Sequence, residues 1–267
     1  MGANTKALKS RIRSVDSTMH TTRAMGLVAS SKMRRANERM SSGWQYASAF
    51  ESVVELLSAC PECAQSPYMR KREGDKVRLI VIAGDRGMAG GYNANVFRLT
   101  ESMAWDHLLP IGKRACERYK GEFFSSENFT GAQATEMARK LCREYLAGEF
   151  DRLGIVSTRY VSMMTQEACV TWVLPLEAKD TQQSVDAIFE PDEQTILDTA
   201  VPDYVAGVLM RCIRESFASE VAARRMAMDS AGKNAQMMID ELQLQYNRAR
   251  QGAITQEITE IVAGSGA

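Results

Sequence analysis

One stretch of the chain combines glycine with charged side chains in a pattern that could serve chemistry. It runs from Gly84 to Asn93 and reads GDRGMAGGYN. An apolar run precedes it and a helical pattern follows, which is where phosphate-binding loops occur. Its spacing is neither G-x-G-x-x-G nor a P-loop, and it contains no lysine to reach a phosphate. We therefore interpret it as a tight strand-to-helix turn in which glycine supplies positive φ.

Asp85 and Arg86 in this turn are the best candidates for catalysis. No nucleophile, base or metal-ligand cluster can be assembled around them from the sequence. We therefore expect no catalytic residue, no cofactor and no metal. A nucleotide-binding enzyme that uses the Gly84–Asn93 turn is the alternative, and nucleotide binding that is lost in Gly90→Val would favour it.

Cys60 and Cys63 have the only suggestive spacing among the six cysteines. A structural zinc needs four ligands, and no second pair of Cys or His lies nearby. A thioredoxin-like pair would lie where a strand meets a helix, whereas this pair ends a helical segment. We interpret these residues as reduced cysteines of a cytosolic protein.

The elements that must position these residues begin with a long N-terminal helix. All six prolines lie between Pro61 and Pro202, which leaves both ends free to form helices. Residues 1–60 carry small or apolar residues in alternating steps of four and three, as in a left-handed coiled coil. This stripe consists of Leu8, Ile12, Val15, Met19, Thr22, Gly26, Ala29, Met33, Ala36 and Met40.

Residues 203–267 predict a second long helix, with Pro202 as a start signal and Asp203 as its N-cap. One face carries the stripe Met228, Ala231, Ala235, Met238, Leu242, Tyr246, Ala249 and Ala253. The two terminal helices pair with each other or with copies of themselves, and periodicity alone does not decide between these arrangements.

The middle of the chain, residues 61–202, reads as an α/β domain. Apolar, β-branched runs predict strands at residues 77–83, 107–111, 153–161 and 168–176, and an amphipathic pattern predicts a helix at 134–146. Strands that alternate with helices indicate a doubly wound, mainly parallel sheet. Residues 61–75 and 177–202 are polar and contain proline, as linkers do.

Charge is unevenly distributed although the net charge is zero. Residues 1–40 hold nine Lys and Arg against Asp16 and Glu38, a net charge of +7. A basic helix can meet nucleic acid, an anionic membrane or an acidic protein. Since no aromatic residues alternate with the basic ones, we favour an acidic protein partner and expect no nucleic acid. The sequence contains no apolar run long enough for a transmembrane helix.

Three separated motifs resemble the gamma subunit of F-type ATP synthases. Ile254–Ala267 is similar to that family's C-terminal signature, with Ser265 where the family usually has alanine. Thr22–Ala36 resembles its first helix, and Asp85–Asn93 resembles its glycine-rich turn. Residues 241–251 match as well, so the resemblance spans nearly the whole chain.

This resemblance implies a non-catalytic rotor shaft. The terminal helices would form an antiparallel coiled coil inside a ring of alpha and beta subunits, with the α/β domain against epsilon and the c-ring. The complex would lie on the cytoplasmic face of a bacterial inner membrane, and the chain would meet the membrane only through the complex. A non-rotary coiled-coil scaffold is the remaining alternative. Positions expected to contact the alpha/beta ring are Met25, Lys32, Arg34, Arg35, Arg224, Gln251, Thr255 and Glu257.

Overall fold

The computed structural model describes residues 2–70, 72, 74–177 and 189–265. The last two residues of the C-terminal motif and much of the expected second linker therefore lie outside the described residues. In chain order the elements are α1 (Gly2–Ser58), a 3₁₀ turn (Pro61–Gln65), β1 (Val77–Ile82), α2 (Tyr92–Glu101), β2 (His107–Ile111), α3 (Lys113–Tyr119), α4 (Gly131–Leu146), β3 (Arg152–Tyr160), β4 (Gln166–Leu174) and α5 (Glu193–Ser265).

The chain divides into two compact units, and the first consists of Met1–Ser30 with Arg224–Ala267. Within this unit α1 and α5 run antiparallel. A Cβ built on Gly26 would lie 3.7 Å from the Cβ of Met228, and one on Gly232 would lie 3.7 Å from the Oγ1 of Thr22. Extending this register places Gly2 opposite Gly252, so the last turns of α5 lie beyond the first residue of α1.

Side-chain burial confirms the N-terminal stripe, since each of its ten positions is buried or half-buried. On α5 the stripe is confirmed except at Met238, which is 45% exposed. Ile239 is half-buried in its place. The prediction of Met238 was wrong because Met238 and Ile239 both lie three or four residues from Ala235 and from Leu242, so that only packing against α1 decides which of the two is covered.

The second unit, Ser31–Ala223, contains a four-stranded sheet among its described residues. Its strand order is β2-β1-β3-β4, with β1 parallel to β2 and β3, and with β4 antiparallel at the edge. This confirms the predicted mainly parallel sheet.

Helices cover both faces of the sheet, as a doubly wound fold requires. Ile80 and Ile155 belong to the buried cluster that includes α4 residues, whereas Leu79 and Val81 pack with Val96 of α2. The short helix α3 was not predicted, because its seven residues are too few to show a period.

Helix α5 begins at Glu193, ten residues before the predicted N-cap at Asp203. Asp192 caps it instead, since its carboxylate accepts the N–H of Thr195 at 2.8 Å. Pro202 lies inside the helix rather than before it. The prediction failed because it read proline as a start signal, whereas the helix continues through this residue with Val201 and Val205 fully buried on either side.

Gly112 generates the first testable prediction. Its φ is 92°, and an added Cβ would lie 1.9 Å from the carbonyl oxygen of Ala83. We expect Gly112→Ala to lower the free energy of unfolding by roughly 3 kcal/mol, from backbone strain and overpacking. Gly131→Ala is the matched control, because a Cβ at that position meets nothing within 4 Å. Urea unfolding measures both; equal stability of the two variants would contradict the prediction.

Gly26 generates the second prediction. A Cβ at this position would be within ordinary contact distance of the Met228 Cβ, so an alanine fits, and we expect the larger side chain of leucine to push against Met228. We expect Gly26→Ala to stabilise the chain by up to about 1 kcal/mol, since glycine is a poor helix former. Gly26→Leu should destabilise it by about 1–3 kcal/mol through overpacking. Thermal unfolding followed by the circular-dichroism signal of helix measures the stability of both variants. If Gly26→Leu were more stable than the wild type, the helices would not pack closely here.

Candidate interaction surfaces

The glycine-rich turn is held by hydrogen bonds within the chain. The N–H of Gly84 donates to the side-chain oxygen of Asn93 at 2.9 Å, which closes the turn. Gly90 has φ of 58°, the conformation expected of glycine here, and Met88 shares it with φ of 60°. A Cβ on Gly84 would lie 2.7 Å from the buried carboxyl group of Glu220 on α5. Glycine therefore serves both the turn and a close approach to the helix.

Asp85 organises the loop that follows α3. Its carboxylate accepts hydrogen bonds from the Ser125 hydroxyl at 2.7 Å and from the N–H groups of Lys113, Ser126 and Glu127 at 3.0, 3.2 and 3.1 Å. Burial by itself opposes ionisation, but these four donors outweigh it and hold the pKa of Asp85 below its usual value. This residue, which the sequence marked as a catalytic candidate, has a structural role.

The loop in turn contacts α1 through Glu127. The Lys32 ammonium lies 2.5 Å from one Glu127 carboxylate oxygen, and the Arg86 guanidinium lies 3.4 Å from the other. Arg39 also donates to the Glu127 carbonyl at 3.5 Å. Sequence reasoning missed Glu127, because residues 120–130 show no period or motif that would mark it.

Polar contacts also fix the sheet to α5. The Tyr92 hydroxyl donates to the Ser216 carbonyl at 3.0 Å, and the Ser216 hydroxyl accepts the N–H of Thr158 at 3.0 Å. The N–H of Tyr160 donates to the Glu215 carboxylate at 3.0 Å. Burial nevertheless raises the pKa of Glu215. Within this unit the end of β3 and the start of α2 are thus bonded to one face of α5.

The end of α5 presents an exposed apolar face. Ile254, Ile258, Ile261 and Val262 are 48–69% exposed and follow helical spacing. By the register of the first unit, these residues lie beyond the first residue of α1, which leaves them without helical cover. An exposed apolar stripe of this kind marks a surface that a partner covers.

A groove of about 560 Å³ lies between α1 and α5 in the first unit. Gly26 and Gly232, where the two helices approach closely, are among the residues that line it. Arg23 and Arg225 line it as cations, whereas Lys233 is paired with Asp229 at 2.7 Å. The groove is therefore lined by small residues and by more cationic than anionic side chains.

The structure places the predicted contact positions on α1 and α5. Lys32 is engaged by Glu127, as described above. Met25 and Arg224 are half-buried, and the others are exposed. Those exposed positions are Arg34, Arg35, Gln251, Thr255 and Glu257.

The cysteines, which the sequence offered as a possible metal or redox site, show neither role in the described residues. The six cysteines are free thiols, and burial raises the pKa of Cys63 to about 11. Within the described ranges, no group of three or more His, Cys, Asp or Glu is arranged to hold a metal. The same ranges contain no helix with the length and apolar character needed to cross a lipid bilayer.

Comparison with solved structures defines the class. The fold matches a chain of the Euglena gracilis mitochondrial ATP synthase OSCP/F1/c-ring assembly, with a TM-score of 0.73 at 17% identity, over 100% of this chain and 95% of that one. It also matches a chain of the rotor of the same enzyme, with a TM-score of 0.68 at 16% identity, over 95% of this chain and 100% of that one. The fold is that of an ATP synthase central stalk.

Sequence comparison identifies the family within this class. The family model described as ATP synthase matches residues 4–267. The ATP synthase gamma chain of Ruminococcus albus is 41% identical, over 98% of each chain. The chain therefore belongs to the family of ATP synthase gamma chains, the central-stalk subunits of the rotor. This confirms the resemblance carried by the three motifs.

Asp85 generates the third prediction. Asp85→Asn removes the charged acceptor of four hydrogen bonds, and we expect it to lower the free energy of unfolding at pH 7 by about 1–3 kcal/mol. Because the folded-state pKa lies below the ordinary 3.8, the contribution is complete above that value and is lost as pH falls through the folded pKa. The gap between wild type and variant should therefore narrow in acid.

Urea unfolding from pH 7 down to about pH 3 measures this gap. Asp75→Asn, which changes an exposed carboxylate, is the control and should leave stability nearly unchanged. A gap that is independent of pH would show that the Asp85 charge does not hold the loop.

Proposed function

We propose that this chain is the shaft that couples ion-driven rotation of a c-ring to ATP synthesis at beta subunits, and ATP hydrolysis to the reverse rotation. The observation that carries the proposal is the antiparallel packing of α1 and α5 in the unit formed by Met1–Ser30 and Arg224–Ala267. Two helices packed side by side resist bending and twisting better than one. Such a pair suits a part that must transmit torque.

The Ser31–Ala223 unit has the contacts needed to pass torque into the helices. The sheet is hydrogen-bonded to α5 through Ser216 and Glu215. The loop that Asp85 organises is ion-paired to α1 through Lys32. A force applied to the α/β domain, where epsilon and the c-ring would bind, therefore reaches both helices.

The helical surfaces suit a ring of alpha and beta subunits. The apolar tip formed by Ile254, Ile258, Ile261 and Val262 can turn against an apolar collar, because such contacts have no preferred direction. The groove rimmed by Arg23 and Arg225 suits an acidic loop of beta, since complementary charge fixes defined angular positions.

Eight positions are proposed to contact the ring. Lys32 must first leave Glu127 or bind while paired, and Arg34 lies 3.9 Å from Glu38 on the exposed surface of α1. The positions are Met25, Lys32, Arg34, Arg35, Arg224, Gln251, Thr255 and Glu257.

The chain itself is proposed to be non-catalytic, because Asp85 and Arg86 are committed to contacts within the fold. Its place would be the cytoplasmic face of a bacterial inner membrane, where it would be peripheral and held through the complex.

The fourth prediction tests the function by reconstitution. Purified chain alone should show no ATPase activity, and mixing it with alpha and beta subunits should give an assembled complex. Ile258→Lys places a charge on the apolar tip face, where burying it costs free energy. We expect that variant to lower ATPase activity of the complex by about tenfold or more.

Gln256→Lys is the matched control, because it adds the same charge two residues away on an exposed position outside the apolar face. It should leave activity within about twofold of wild type. Failure of the wild-type chain to assemble with alpha and beta would refute the proposed function. An equal loss of ATPase activity in both lysine variants would refute the proposal that the apolar tip turns against an apolar collar.

A further inference from the structure

Glu127 contacts α1 at two points within the Ser31–Ala223 unit. Its carboxylate lies 2.5 Å from the Lys32 ammonium, and its backbone carbonyl accepts a long hydrogen bond from the Arg39 guanidinium at 3.5 Å. Lys32 and Arg39 are seven residues apart, which is about two helical turns, so both side chains leave the same face of α1. One loop residue is therefore bonded to roughly 10 Å of helix length.

The fold holds Glu127 itself in place. Its N–H donates to the Asp85 carboxylate at 3.1 Å, and the Arg86 guanidinium lies 3.4 Å from its second carboxylate oxygen. Two residues further on, Phe129 belongs to the buried core cluster. The Glu127 side chain is only 24% exposed, so water and salt screen its pairing with Lys32 less than they screen a fully exposed pair.

The apolar contacts of α1 at this level are poor at fixing its orientation. Met33 packs in a small buried cluster with Val221 and Ala222 of α5, and Ala36 is 1% exposed. Methionine is a flexible side chain, and apolar contacts do not favour one direction over another. Such packing resists rotation of α1 about its axis, or sliding along it, less than a directional polar contact does.

We propose that Glu127 is a positioning residue, which fixes the angle and the height of α1 on the α/β domain and thereby keeps rotation coupled to ATP chemistry. This inference rests on the proposed function, since it assumes that torque passes through the chain. The unit begins at Ser31 and Lys32 is its second residue, so the pair lies where α1 enters the unit. A loose attachment there would let the domain turn before α1 follows.

The experiment uses the whole ATP synthase, assembled with the wild-type or a variant chain and reconstituted into lipid vesicles. ATP hydrolysis and the ATP-driven membrane potential are measured on the same vesicles, so their ratio does not depend on how much enzyme has assembled. Glu127→Ala removes the carboxylate and keeps both backbone bonds of this residue. We expect it to lower the ratio of potential generation to hydrolysis about twofold, since a partly exposed ion pair biases an equilibrium by about that factor.

Glu122→Ala is the matched control, because it changes an exposed glutamate of the same loop. It should leave the ratio unchanged. Lys32→Ala attacks the same ion pair from the helix and should lower the ratio by the same factor as Glu127→Ala. The double variant should lower the ratio no further, because each change removes one shared interaction. Circular dichroism checks that each variant is folded.

Two results would overturn the positioning role. One is an unchanged ratio in folded Glu127→Ala. The other is a pair of losses that add in the double variant, which would show that Lys32 acts apart from Glu127. Either result in an enzyme whose wild type couples hydrolysis to a membrane potential would leave the proposed function intact. A wild-type chain that does not assemble or does not couple would refute the proposed function and this inference with it.

Discussion

The close approach of two long helices is the constraint on which the other features depend. In the unit formed by Met1–Ser30 and Arg224–Ala267, a glycine faces a larger residue at both Gly26 and Gly232. In the Ser31–Ala223 unit, a Cβ on Gly207 would lie 3.6 Å from the Cα of Ala47. Apolar burial stabilises such helix pairs but does not favour one orientation of the helices over another. The register therefore depends on where the small residues stand, because only they allow the backbones to approach.

Polar contacts add the direction that apolar packing lacks. Hydrogen bonds weaken steeply when their angle is wrong, so the bonds that β3 and α2 make to Ser216 fix one orientation of the sheet on α5. The ion pair of Lys32 with Glu127 does the same for α1. These contacts lie within one unit and are partly or fully buried, where charge-assisted bonds are screened less by water. A body that rotates with its shaft needs contacts of this directional kind.

The sequence predicts most of the fold because period and composition are local properties. The alternation of four and three located the α1 stripe, and the apolar run at residues 77–83 located β1. Periodicity could not separate Met238 from Ile239, since both are apolar neighbours and only the partner helix selects between them. The turn at Gly84–Asn93 was assigned correctly as a turn. Its connection to α1 through Glu127 was not predictable, because the contact between Lys32 and Glu127 joins residues that are 95 positions apart.

Pro202 shows that a long helix of this chain tolerates proline where the neighbouring turns are packed against the rest of the fold. Proline removes one helical hydrogen bond and costs about 3 kcal/mol in a helix interior. At Pro202 the flanking turns are fully buried at Leu197, Val201 and Val205, so tertiary contacts offset that cost. From Ile254 to Ser265 the side chains of α5 are exposed and have no such support. A helix that must stay straight there depends on its own hydrogen bonds, and the sequence keeps proline out of every position after 202.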